Sequence, residues 1–178
     1  DPQALACIEK ASDQDRDMRF EQAMAKGKAS EMLDDFLEAR AFYRQALEIK
    51  PESPAALDAL RNVESRASAA EYAKFMMRGR EAEGRKDFPA ALSAFEEALK
   101  SKPSDAAATQ AKERVLLSLY NESLSAGQEA ARKELWGDAV AAFEAALRWK
   151  SEDAIARSSL ERAQRALEIV NRAKAVAM

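Results

Sequence analysis

Histidine is absent from the 178 residues, and cysteine occurs once. The first absence removes the commonest general base and the commonest metal ligand. The second excludes an internal disulfide and leaves the compartment undecided, with the cytoplasm favoured and the periplasm left open. Cys7, between Leu5 and Ile8, reads as a small apolar helix residue rather than a reactive thiol. There is no run of Lys or Arg, the net charge is −3 and the pI is near 5.3. Nucleic acid, which demands an excess of positive charge, is therefore not an expected partner. No apolar stretch approaches the roughly 20 residues of a membrane span, and no signal-peptide pattern opens the chain. Chemistry is equally thin. The acidic pairs Glu96-Glu97 and Asp34-Asp35 fall where solvated helix faces and caps are expected. Asp13, Asp15 and Asp17 resemble the start of a calcium loop but lack its glycine and closing glutamate, so helix is the better reading. No catalytic residue, metal site or cofactor is expected.

Glycine and proline number only five each, while 33% of residues are charged and alanine, glutamate, lysine, arginine and leucine dominate. That is the composition of long helices. The few glycines are placed with regularity. Gly27, Gly79 and Gly127 are each followed after twelve residues by alanine (Ala39, Ala91, Ala139), then by an aromatic (Tyr43, Phe95, Phe143) and by a second alanine (Ala46, Ala98, Ala146). Pro51 and Pro103 close the first two copies, and Ser151 stands at that place in the third. A spacing kept three times marks a repeat protein, whose stacked units expose a surface for binding.

The unit is longer than this ladder. Gly27 to Gly79 is an offset of 52 and Gly79 to Gly127 one of 48; the same offsets carry Phe20 onto Tyr72 and Tyr72 onto Tyr120. The segment upstream of each glycine therefore belongs to the repeat. The offsets differ by close to one helical turn, which a continuous helix absorbs while keeping its faces nearly in register. Each unit reads as a long first helix (3–33, 54–85, 104–133, 152–177) and a short second helix (35–49, 88–101, 136–149). At 1.5 Å per residue the long helices reach about 45 Å and the short ones about 20 Å. Asp34-Asp35 and Lys86-Asp87 carry the turn and cap chemistry of the first two hairpins, and Gly137 opens the third short helix. Inside each hairpin the glycine is expected to face alanine on the second helix, with the aromatic filling the gap toward the next unit.

At these residues the chain resembles the tetratricopeptide repeat family. The resemblance covers Gly27, Ala39, Tyr43, Ala46 and Pro51, then Gly79, Ala91, Phe95, Ala98 and Pro103, then Gly127, Ala139, Phe143 and Ala146. Three departures stand beside it. The unit here is near fifty residues against the family's roughly 34. The aromatic usual after the glycine is replaced by Ser30, Ala82 and Ala130, and Ser151 replaces a closing proline. The resemblance implies an all-α fold, a right-handed superhelical solenoid of about seven helices alternating long and short. It forms one repeat domain over 1–178, with units 1–52, 53–104 and 105–152 and a final unpaired helix 153–178. Because the chain opens at a repeat boundary and closes on a first-type helix, it reads as a slice of a longer stack.

The resemblance also implies a concave face, lined by first helices, that receives a peptide or partner helix. Helical phase projects that face onto Met24, Lys28 and Glu31, then Met76, Arg80 and Glu83, then Leu124, Gln128 and Arg132. In the upstream extensions it adds Asp17 and Glu21, then Asn62, Arg66 and Ala69, then Glu113 and Leu117. The row Met24, Met76 and Leu124 reads either as an adaptable apolar lining or as packing against the extended neighbouring helix. Lys28, Arg80 and Arg132 read either as anion contacts or as a solvated face. The paired Lys and Asn with which some family members clamp a chaperone's terminal carboxylate are missing. The expected function is a non-catalytic protein-binding scaffold, for which Met76→Glu with Arg80→Glu should abolish capture and spare the fold. Self-association through the repeat ends, and a regulatory domain fused to an enzyme, are the alternatives.

Overall fold

The computed structural model describes residues 2–176. The side chains of residues 2 and 4–8, and with them the reading of Cys7, lie outside the described residues, as does Met178. The described residues form seven helices and no strand: α1 Pro2–Met32, α2 Phe36–Ile49, α3 Pro54–Gly84, α4 Phe88–Ser101, α5 Ala106–Arg132, α6 Trp136–Trp149 and α7 Ala154–Val176. Every bound falls within two residues of the sequence-based expectation. The fold is an all-α helical repeat that alternates long and short helices. The chain divides into two compact units, Asp1–Glu71 and Tyr72–Met178, and the division falls inside α3 rather than in a loop.

Each long helix ends in the same turn. In the first hairpin the amide of Asp35 donates to the carbonyl of Ser30 at 3.0 Å and that of Asp34 to Glu31 at 3.2 Å. Asp87 with Ala82 and Lys86 with Glu83 repeat the pair, and so do Leu135 with Ala130 and Glu134 with Ala131. This is the Schellman arrangement, which puts one residue in the left-handed region, normally glycine. Here Asp34, Lys86 and Glu134 occupy it, at φ 56°, 60° and 57°. The next residue immediately caps the short helix. Asp35 accepts from the amide of Glu38 and Asp87 from that of Ala90, which satisfies donors the helix leaves free. In the third hairpin the cap position falls to Leu135, with no side-chain bond, and Gly137 lies inside α6 instead of opening it.

The packing corrects one expectation. The glycine of each long helix faces the aromatic ring of the short helix and not its alanine. A Cβ on Gly27 would sit 2.6 Å from Tyr43 Cε1 and one on Gly127 2.6 Å from Phe143, and on Gly79 it would strike the Phe95 ring. The bare backbone is needed because a ring lies flat on it, and alanine cannot fill that space. The far side of the hairpin is closed by the next long helix. Ala39 and Tyr43 share a core with Val63, Phe95 shares one with Val115, and Phe143 with Ala163. Phe95 is fully buried, worth about 2 kcal/mol by the area it removes from water.

A second set ties each short helix to the long helices on either side. Lys50, Lys102 and Lys150, the C-caps of α2, α4 and α6, place their ammonium groups over the rings of Phe20, Tyr72 and Tyr120 at 4.5, 4.4 and 5.3 Å. Three residues later Ser53, Asp105 and Asp153 accept from the amides of Ala56, Ala108 and Ala156. Where the ring carries a hydroxyl the cap is an aspartate. Tyr72 donates to Asp105 Oδ1 at 2.6 Å, and the Tyr120 hydroxyl helps to hold the Asp153 carboxyl below its ordinary value. Where the ring is Phe20 the cap is serine.

Candidate partner-binding surface

The residues projected onto a partner-binding face lie on the C-terminal halves of α1, α3 and α5. The apolar row among them is occupied by packing. Met76 is 5% exposed within the core formed with Phe95 and Val115. Met24 is half-buried between the two cores of the first hairpin, and Leu124 between those of the third. Extended neighbouring helices supply the surface that covers them. Met76→Glu would therefore bury a charge and cost the fold as well as any binding, so it is not the selective variant expected from the sequence. Lys28, Arg80, Gln128 and Arg132 are exposed.

Glu31 and Glu83 are half-buried and engaged by arginines from the following long helix. Glu31 Oε1 accepts from Arg66 Nη1 at 2.6 Å, and Asp34 Oδ1 accepts from Arg66 Nη2 at 2.9 Å. The other oxygen of Glu31 accepts from the Tyr43 hydroxyl at 2.9 Å. Burial, and then this bond to a carboxylate, push the Tyr43 phenol up to about 12. Arg66 also stacks over the ring of Phe36, 5.2 Å from its centroid. In the second hairpin Glu83 receives a fork from Arg114, Nε at 2.6 Å and Nη2 at 2.8 Å. The Arg114 guanidinium holds the Glu83 carboxyl below its ordinary value. These pairs join helices 31 and 35 residues apart in sequence, a register that helical phase within one helix does not contain. In the upstream extension, Asp17 pairs with Lys50 at 2.8 Å.

The third hairpin differs. Gln128 and Arg132 of α5, Trp136 of α6 and Ser159 and Arg162 of α7 line an open cleft of about 530 Å³, floored by Ala131, Phe143 and Ala163. Sequence reasoning reached Gln128 and Arg132 but not Trp136, Ser159 or Arg162. A signal existed: Arg162 lies at the offset of 48 from Arg114, and Trp136 at the same offset from Phe88. The cleft has an amide, a hydroxyl, an indole and two guanidinium groups, all of them able to donate hydrogen bonds. No cluster of acidic, Cys or His side chains suited to a metal ion occurs among the described residues. None of their helices is long and apolar enough to cross a membrane.

Residues 23–53, the end of α1 with α2 and the loop after it, match the family model described as tetratricopeptide repeat. No curated protein matches the chain.

Proposed function

Since the chain is a helical repeat protein of the tetratricopeptide type, we propose that it is a non-catalytic scaffold that holds a protein or peptide segment against its first helices. Repeats of this kind generally mediate protein–protein interaction and are typically non-catalytic. The observation that carries the reading is the cleft of the third hairpin. Gln128 and Arg132, on the side where the resemblance places a partner, line one open depression with the half-buried indole of Trp136. Aromatic and arginine side chains in a partly desolvated hollow are the usual anchors of protein recognition. Within the same compact unit Arg80 would extend the polar contact along α3, while Met76 and Leu124 pack beneath it.

The test is selection of a displayed library of random short peptides on the immobilised chain. Selection is expected to enrich a defined set of sequences. Gln128→Ala with Arg132→Glu should abolish their binding with the helical signal and melting temperature unchanged, because both side chains are exposed. Failure to enrich any sequence would reject the reading.

A further inference from the structure

The contact between successive long helices is made twice with a carboxylate and once without. Counted from the glycine, Glu31 and Glu83 hold one position, and Ala131 stands there in the third hairpin. Counted from the second alanine of the ladder, Arg114 and Arg162 hold the same position, sixteen residues after Ala98 and Ala146. Arg114 is forked onto Glu83; Arg162 lines a cleft together with Ala131, whose methyl group carries no counter-charge. Among the described residues no ion pair includes Arg162 or Arg132. The acids nearest in sequence make their ion pairs elsewhere, Glu129 with Lys133 at 2.7 Å and Glu161 with Arg165 at 3.5 Å; Arg132 feels the Glu129 charge without pairing with it, and Arg162 has no such neighbour among the described residues. Glu134, on the turn, makes no ion pair and does not line the cleft. No acidic residue lines the cleft at all.

We infer that this cleft receives an aspartate or glutamate side chain of the bound segment, whose carboxylate takes on Arg162 the place that Glu83 takes on Arg114. The inference rests on the peptide-binding reading above and adds the chemistry of the occupant. Charge complementarity selects that occupant. Two guanidinium groups border a hollow with no internal counter-charge, and guanidinium matches carboxylate in planar, two-point geometry. The second hairpin shows the geometry realised between the corresponding helices. Gln128 and Ser159 supply further donors to a carboxylate, and Trp136 offers a flat apolar face to the residue beside the acid.

The experiment uses the same library, displayed with peptide C-termini fused to the carrier, so that no free terminal carboxylate is present. Enriched sequences are expected to share an Asp or Glu. An enriched peptide, synthesised with an amidated end, should lose about tenfold or more in affinity on Arg162→Gln. Replacing its acid by the amide should cost as much, and the two losses should not add. Ala131→Glu should also weaken binding, because a built-in carboxylate then occupies Arg162, while the melting temperature holds or rises. Binders without an acid, or acidic binders indifferent to both Arg162→Gln and Ala131→Glu, overturn the carboxylate site and leave peptide binding standing. An absence of any binder overturns both.

Discussion

Gly27, Gly79 and Gly127 lie mid-helix, where glycine costs up to about 1 kcal/mol against alanine. Their retention at one spacing is explained by the rings of Tyr43, Phe95 and Phe143 resting on the bare backbone. The cost of overpacking such a contact, about 1–3 kcal/mol, exceeds what alanine returns in helix propensity. Gly79→Ala is therefore expected to lower stability. Gly137, also helical, has no neighbour within reach of an added Cβ, and Gly137→Ala is expected to raise it by about 0.5–1 kcal/mol. Urea titration of the two variants checks the pair, and equal signs would contradict the packing. At this scale the ladder of small residues was legible in the sequence but its contact partners were not. Spacing shows that a glycine is needed; only the packing shows that a ring rather than a methyl group needs it.

The bounds of the helices were legible because punctuation is local: Pro54 begins a helix, Asp35 and Asp87 cap two others, and no glycine or proline breaks 55–78. The turns were less so, since Asp34, Lys86 and Glu134 take a left-handed conformation usually given to glycine, and nothing in their identity announces it. The weak point is the start of α6, where Leu135 caps without a hydrogen bond and stays half exposed. Leu135→Asp would restore the acceptor found at Asp35 and Asp87 and place a negative charge at a helix N-terminus. A gain of about 1 kcal/mol is expected, read as a higher melting temperature. A loss would mean that the leucine side chain makes contacts that outweigh the cap. The apolar row of Met24, Met76 and Leu124 was not assignable from helical phase. A face turned toward a groove and a face turned toward an extended neighbour share one periodicity.

Across the whole molecule the perturbed acids share one direction. Asp17, Glu83, Asp105, Glu129 and Asp153 are all held below their ordinary values, by partners that favour the charged form. For Asp153 the amide of Ala156, then Tyr120 and Lys150, bring it to about 2. A lowered carboxyl contributes its stability above the unfolded value near 4 and loses it as pH falls through the folded value. The tyrosines act oppositely. Tyr43, Tyr72 and Tyr120 are raised, so their contribution is whole below about pH 10 and lost as pH climbs, for Tyr43 through about 12. With no histidine to titrate between, thermal melts should be flat from about pH 5 to 9 and fall on both sides. Asp153→Asn should flatten the acid limb; an unchanged limb would mean that the capping aspartates are not its source.

The bonded sets overlap in a way that bears on how such a chain can be cut and rejoined. Phe20, Lys50 and Ser53 must travel together, and so must Gly27, Tyr43, Val63 and the pair Glu31–Arg66. The next sets begin at Tyr72. A crossover that severs none of them has to fall after Arg66 and before Tyr72, or in the following copy between Leu119, which shares the core of Phe95 and Val115, and Tyr120. Both windows lie in the middle of an unbroken helix. Grafting or recombination of these repeats should therefore succeed with helix-to-helix splices and fail at the hairpin turns, the reverse of the usual preference for joining proteins at loops.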